Sequence, residues 1–163
     1  MAYDNLTLGS LLRLVLDRLD RDVEAAYRDR GLRFKPRYTS IYRLLAANGE
    51  MRVGEIAAAM GLSQPSITNT LAAMRADALV EIRRGTNDGR ERIVTLSFEG
   101  RAIAEELGTQ WRQTAAAASS LNGDLGISLE KVMRDALIQL DRRPFRDRMS
   151  DSGSTPMGAG SDS

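Results

Sequence analysis

Apolar residues recur at helical spacing at the start of the chain. Leu8, Leu11, Leu12, Val15, Leu19, Val23 and Ala26 share one stripe, which predicts a helix over 6–30 closed by Gly31. Leu14 and Leu16 fall outside that stripe, so this helix is apolar on more than one face and needs a second surface to cover it. Tyr38, Ile41, Leu44 and Leu45 mark the inner face of a second helix over 36–47, with Pro36 in its first turn and Asn48-Gly49 closing it. Val53, Ile56, Ala57 and Met60 give a third helix over 53–60, which stops at Gly61. Ser63 then caps a fourth helix, with Pro65 in its first turn and Ile67, Leu71 and Met74 as its buried stripe. Alternation and β-branching at Val80, Ile82, Ile93, Val94 and Thr95 predict two short strands over 79–84 and 90–96. The stretch GTNDG between them is dense in turn formers. Ser97 is expected to cap one long helix reaching about residue 121, with Ile103, Leu107, Trp111 and Ala115 on one face. Asn122-Gly123 and Gly126 are read as its breaks. Ser128 opens a last helix carrying Leu129, Val132, Met133, Ala136, Leu137 and Leu140 in register, followed by Pro144.

Composition narrows the chemistry. The 163 residues contain neither Cys nor His, which removes disulfides, thiolate nucleophiles, His-dependent zinc sites and Ser-His triads. There is also no Gly-rich phosphate loop and no pair of carboxylates in a loop, so an enzyme is not expected, nor a metal or cofactor. No run of 18 apolar residues is present and the first residues lack the pattern of a signal peptide, so no membrane association and a cytoplasmic location are expected. Net charge is +1, but it is unevenly spread: −2 over residues 1–27, +5 over 28–101 and −2 over 102–163. A basic centre between acidic flanks suits a surface that meets a polyanion. From Ser150 onward 8 of 14 residues are Gly or Ser, which predicts a disordered tail.

The order helix, helix, turn, helix, strand, hairpin, strand is that of a winged helix-turn-helix, a mainly α fold with a small β hairpin. The fourth helix presents Gln64, Ser66, Thr68 and Asn69 opposite its apolar stripe. Short uncharged donors and acceptors suit base edges in a major groove, whereas a merely solvated helix face more often carries Glu and Lys. The hairpin carries Arg83 and Arg84 before the turn and Arg90 and Arg92 after it. Arg at a wing tip suits the deep negative potential of a minor groove, and Asp88 would orient Arg90 or Arg92. The competing reading of these charges is protection of an edge strand against aggregation.

The segment VGEIAAAMGLSQPSITNTLAAMRADALVEIRRGTNDGRERIVTLSFEGRA resembles the core of the multiple-antibiotic-resistance-regulator (MarR) family. The matching pieces are V-G-E-I-A, G-L-S, the D-x-R of the wing at Asp88 and Arg90, and I-V-T-L-S-x-x-G, with GLRFKPRYTSIYRLL resembling the family's second helix. The resemblance covers about residues 6–142. It implies a homodimer on double-stranded DNA, with Gln64, Ser66, Thr68 and Asn69 in the major groove and Arg90 in the minor groove. It also implies a division into an N-terminal dimerisation helix (1–30), the winged core (31–96), C-terminal dimerisation helices (97–142) and a tail (143–163). Ala78 stands where the family usually has Gly, so the turn there must tolerate a Cβ. The missing Cys and His argue against thiol-oxidation and zinc sensing, leaving non-covalent binding of a small aromatic or carboxylate effector.

Family effectors often sit between the dimer helices and the winged core, near Arg37, Tyr38, Tyr42 and Trp111. There Arg37 would meet a carboxylate and the rings would stack on an aromatic acid. The competing reading puts Tyr38 and Trp111 in the core and Arg37 on phosphate or solvent, and helical spacing favours it. The sequence thus points to a sequence-specific, palindrome-binding transcriptional regulator. Two alternatives are a protein-interaction scaffold, which would want an apolar or acidic face on the fourth helix, and a general nucleoid binder, for which a net charge of +1 is low.

Overall fold

The computed structural model describes residues 3–85 and 91–152, and the chain divides into two compact units, Met1–Thr114 and Ala115–Ser163. In the first unit α1 (Leu8–Asp29) is followed by a 3-10 turn (Pro36–Tyr38), α2 (Thr39–Asn48), β1 (Met51–Arg52), α3 (Val53–Met60), α4 (Gln64–Ala76), β2 (Val80–Arg84), β3 (Arg92–Leu96) and α5 (Phe98–Ala102). α6 (Ala104–Leu125) passes from the first unit into the second, which continues with α7 (Leu129–Arg142) and α8 (Phe145–Ser152). The expected mainly helical winged fold is present, with a three-stranded sheet of order β1-β3-β2 in place of a bare hairpin. β1 escapes sequence reading because two residues show no alternation; it exists through pairing of Met51 with Val94 and Arg52 with Ile93.

Local chemistry places most boundaries. The Thr7 Oγ1 accepts the Ser10 N–H at 3.2 Å and starts α1. Gly31, at φ +72, turns the chain so that the Leu32 N–H reaches the Tyr27 carbonyl at 2.9 Å. Three helical boundaries differ from expectation. The helix begun at Ser97 stops at Ile103, just past Gly100, whose carbonyl accepts the Tyr42 hydroxyl at 2.7 Å. Asn122-Gly123 does not break α6. The Asn122 side chain instead accepts the Leu129 N–H at 3.0 Å and donates to Glu130 at 2.8 Å, capping α7 while its own backbone stays helical. The tail expected from residue 143 begins with α8, and the Arg148 guanidinium donates to the Gln139 and Arg143 carbonyls at the end of α7. The Gly- and Ser-rich residues 153–163 lie outside the described residues.

The core of the first unit gathers Tyr27, Leu32, Phe34, Tyr38, Ile41, Tyr42, Leu45, Ile56, Ile67, Leu71, Met74, Val94 and Leu107. Phe34 sits among Tyr27, Tyr38, Tyr42 and Trp111 in edge-to-face contacts of 5.0, 5.7, 5.6 and 6.4 Å between ring centres. Such contacts are worth about 0.5–1.5 kcal/mol each beyond area burial. Most of the stripe read on α1 lies outside this core: Leu8, Leu12, Val15 and Leu19 are exposed, as is Leu16 beside them, whereas Val23 packs against the core. In the second unit Val132, Met133, Leu137, Ile138 and Leu140 of α7 are exposed as well.

The passage from α4 to β2 is the tightest part of the fold. Ala78 takes φ +60, the left-handed region, and the Leu79 N–H returns to the Met74 carbonyl at 2.9 Å. The Ser97 Oγ donates to the Ala78 carbonyl at 2.5 Å, while the Ser97 N–H donates to the Leu79 carbonyl at 3.0 Å. Gly100 lies so close beneath that a Cβ there would stand 2.1 Å from the Leu79 oxygen. These geometries predict opposite effects of two small substitutions. A left-handed Ala costs roughly 1–2 kcal/mol and an unfolded Gly gives back part of the gain. Ala78→Gly should therefore raise stability by about 0.5–1 kcal/mol net. Gly100→Ala should lower it by about 1–3 kcal/mol through overpacking. Urea unfolding checks both; a lower midpoint for Ala78→Gly would contradict the strained turn.

Candidate nucleic-acid interface

α3 and α4 meet at close range. The Glu55 carboxylate accepts the Arg52 N–H at 2.7 Å and holds the start of α3, and Gly61, at φ +62, makes the turn into α4. The Ser63 Oγ caps α4 by accepting the Ser66 N–H at 3.4 Å. A Cβ on Gly54 would come within 3.3 Å of the Gln64 amide, so the small residue lets the start of α4 lie against α3. With Ile67, Leu71 and Met74 buried, Gln64, Ser66, Thr68 and Asn69 are all exposed. They divide into two groups. Gln64 and Thr68 line a cleft shared with Arg52 and Arg92 of the sheet. Ser66 and Asn69 occupy other positions of the helical turn and do not line that cleft.

The register of β2 and β3 separates the arginines. Val80 pairs with Leu96, Ile82 with Val94, and Arg84 with Arg92, so these residues share the sheet face whose root is buried. Arg83 pairs with Ile93 on the opposite face and donates to Glu50 at 2.7 Å. Arg52, which pairs with Ile93 from the other side, reaches Glu91 at 3.1 Å and Glu55 at 3.3 Å. Glu91 foremost, with Glu55, raises the guanidinium pKa further above its ordinary value. The arginines read together in the sequence thus form two sets. Arg83 is matched to a carboxylate, whereas Arg84 and Arg92 have no carboxylate partner among the described residues. Arg75, in the last turn of α4, joins the second set by lining the same hollow. Its signal was available: it recurs at helical spacing with Gln64 and Thr68, yet among Ala residues it reads as a helix C-terminal charge. The Gly85 N–H donates to the Glu91 carbonyl at 2.9 Å and closes the hairpin. Asp88 and Arg90 lie outside the described residues.

The residues considered for a small ligand are distributed differently. Tyr38 is fully buried and its hydroxyl donates to Asp77 at 2.7 Å. Tyr42 is also buried, with its hydroxyl on the Gly100 carbonyl. The Trp111 Nε1–H donates to the Tyr27 hydroxyl at 3.0 Å, and the Arg43 guanidinium lies over its ring at 4.3 Å. Only Arg37 is exposed, beside the Tyr38 ring at 5.6 Å. Tyr38 and Tyr42 therefore belong to the core, and Trp111, half-buried, packs against it, all three with their polar tips engaged.

A turn joining two packed helices, the second followed by a two-stranded wing, defines a winged helix-turn-helix protein. Residues 35–91 match the model of the MarR family. Solved structures share the fold over most of the chain. The M. tuberculosis transcriptional regulator MOSR, in complex with DNA, is 21% identical with a TM-score of 0.65 and covers 92% of this chain and 100% of its own. Reduced AbfR bound to DNA is 16% identical with a TM-score of 0.62, covering 83% of this chain and 91% of its own. NadR in complex with 4-hydroxyphenylacetate is 22% identical with a TM-score of 0.54, covering 84% and 94%. No curated protein sequence matches the chain.

Burial, then the Asp77 acceptor, pushes the Tyr38 hydroxyl up to about 12, with Arg37 opposing; burial also pushes Tyr42 up. Because the folded state favours the neutral phenol, the contribution of Tyr38 is complete below about pH 10 and lost as pH rises through 12. In an alkaline titration, tyrosinate absorbance from Tyr38 should appear together with loss of circular dichroism. Tyr38→Phe should cost about 1 kcal/mol at neutral pH and flatten the decline between pH 10 and 12. The same alkaline slope in the variant would rule out this titration.

Proposed function

We propose that the protein is a sequence-specific double-stranded-DNA-binding transcriptional regulator that acts without catalysing a reaction. The observation that carries this reading is the exposed, uncharged polar face of α4 beside Arg84 and Arg92 of the sheet, which have no carboxylate partner among the described residues. Gln64, Ser66, Thr68 and Asn69 would read base edges in a major groove, and the wing, with Arg84, Asp88, Arg90 and Arg92, would contact the flanking backbone and minor groove. Arg83, matched to Glu50, would act mainly by holding the wing against β1. The DNA complexes of the similar MOSR and AbfR structures support the same reading.

Residues 1–30 and 97–142 would supply the arms of a homodimer around the winged core 31–96. The exposed apolar positions of α1 and α7 support this, since aliphatic faces of this length are seldom left to water. A cytoplasmic location goes with the function, and among the described residues no helix is long and apolar enough to cross a membrane. A small aromatic acid would modulate binding; the 4-hydroxyphenylacetate complex of NadR supports this class of effector. To use Arg37, Tyr38, Tyr42 and Trp111, such a ligand must displace the Tyr38–Asp77 or Trp111–Tyr27 hydrogen bond.

Selection of bound duplexes from a random pool tests the central claim. The expected product is a palindrome whose half-site centres lie about 10 base pairs apart. Asn69→Ala and Gln64→Ala should each relax preference at particular bases by about 1–3 kcal/mol. A consensus without two-fold symmetry would count against a dimer with one reading helix per half-site. Light scattering at micromolar concentration should give twice the chain mass. Leu12→Glu and Leu137→Glu, at exposed apolar positions, should lower the mass toward that of the single chain. A wild-type monomer would remove the arms from the proposal.

A further inference from the structure

We propose that Arg75, Arg84 and Arg92 form a clamp for a single phosphodiester group of DNA, set between the end of α4 and the root of the wing. The inference rests on the DNA-binding reading and specifies what this part of the surface holds. Three features meet there. First, all three arginines line one hollow together with Arg83, and among the described residues no carboxylate lines it. Second, Arg84 and Arg92 are direct cross-strand partners on one sheet face. Like charges placed so destabilise an antiparallel pair, so the free protein carries an opposition that an anion between them would relieve. Third, the floor is apolar: Ile82 lies beneath the arginines, and the adjoining hollow adds Leu71, Ala72 and Val53. A floor of low polarity strengthens the attraction for an anion above it.

The contrast with the neighbouring cleft makes the assignment specific. There Arg52 is held by Glu91 and Glu55, so its charge is spent within the protein. Arg83, which also lines the hollow, is likewise spent on Glu50. In the sheet Arg52 and Arg83 are thus matched to carboxylates, whereas Arg84 and Arg92 have none among the described residues. Thr68, Arg75 and Arg92 line the adjoining hollow together, so an anion in the clamp sits beside the stripe that would read bases. A helix in a major groove has backbone phosphates along its flanks, and contacts to them fix register without reading sequence. Bidentate geometry suits guanidinium to that task. Free inorganic phosphate shares the chemistry but not the adjacency to Thr68.

The test uses the full chain, the selected duplex and an unrelated duplex, titrated at several salt concentrations. Arg84→Gln alone and the triple change of Arg75, Arg84 and Arg92 to Gln are compared with wild type. One phosphate per subunit predicts that the triple variant loses about one from the slope of log affinity against log salt, per subunit, on both duplexes. Its selected base preference should stay that of wild type. Circular dichroism should stay native, and Arg84→Gln should melt no lower than wild type, because it removes the opposition with Arg92. A triple variant with the wild-type slope would overturn the clamp while leaving DNA binding intact. A loss near three per subunit would replace it by three separate contacts. Wild type that bound neither duplex would overturn the underlying reading and the clamp with it. Stabilisation of wild type by millimolar inorganic phosphate, beyond chloride of equal ionic strength and absent in the triple variant, with an unchanged DNA slope, would assign the site to a free anion instead.

Discussion

The turn from α4 into β2 is the constraint on which the rest of the winged unit depends. Three residues, Asp77, Ala78 and Leu79, connect the helix that carries Gln64 and Thr68 to the hairpin that carries Arg84 and Arg92. Each is held from a different element: Asp77 by the Tyr38 hydroxyl, the Ala78 carbonyl by the Ser97 side chain, and the Leu79 carbonyl by the Ser97 backbone. Gly100 closes the space beneath, and Tyr42 ties its carbonyl back to α2. With so few backbone torsions between them and the Ala78 and Leu79 carbonyls both held by Ser97, helix and hairpin keep one relative direction. The DNA-binding reading proposed above would use that fixed angle to present helix and wing together.

Electrostatics divide the same surface by function. Exposed ion pairs add little stability, about 0–1 kcal/mol each. The pairs Arg83–Glu50 and Arg52–Glu91 therefore matter mainly for direction and for cancelling charge where it has no use. Arg84 and Arg92, unmatched among the described residues, line a hollow with Arg75 of α4. The net charge of +1 conceals this, because a sum over the chain cannot see which face a charge occupies.

The aromatic cluster around Phe34 shows the opposite economy. Tyr27, Tyr38, Tyr42 and Trp111 place ring edges on one another and satisfy their polar tips within the fold. A cluster so complete is a spacer between α1, α2 and α6. Any effector that acts through it must first compete with hydrogen bonds already made, which would couple binding directly to the Asp77 turn. Ala78 is part of the same economy. Its left-handed backbone carries a strain that Gly would avoid, and the bonds from Ser97 and to Met74 hold it in place.

Much of this was legible in the residues. Ser63, Gly61 and Pro65 announce α4, and the spacing of Ile67, Leu71 and Met74 dictates which of its residues face out, because caps and periodicity act within a turn or two of the chain. The left-handed turn at Ala78 was legible from the residue type that the resemblance expects there. Other features depend on partners distant in sequence. β1 exists only through Val94 and Ile93; Asn122 continues a helix because its side chain has a task at Leu129; Arg75 joins Arg84 and Arg92 only once the sheet brings them to its side of α4. The division of the wing's arginines into matched and unmatched follows from strand register, since shifting by one residue moves a side chain to the opposite face. The sequence by itself determined the order of elements and the polar residues that α4 turns outward. Tertiary structure alone decided which charges are cancelled and which rings are sealed, because those outcomes belong to contacts across the fold that no local pattern encodes.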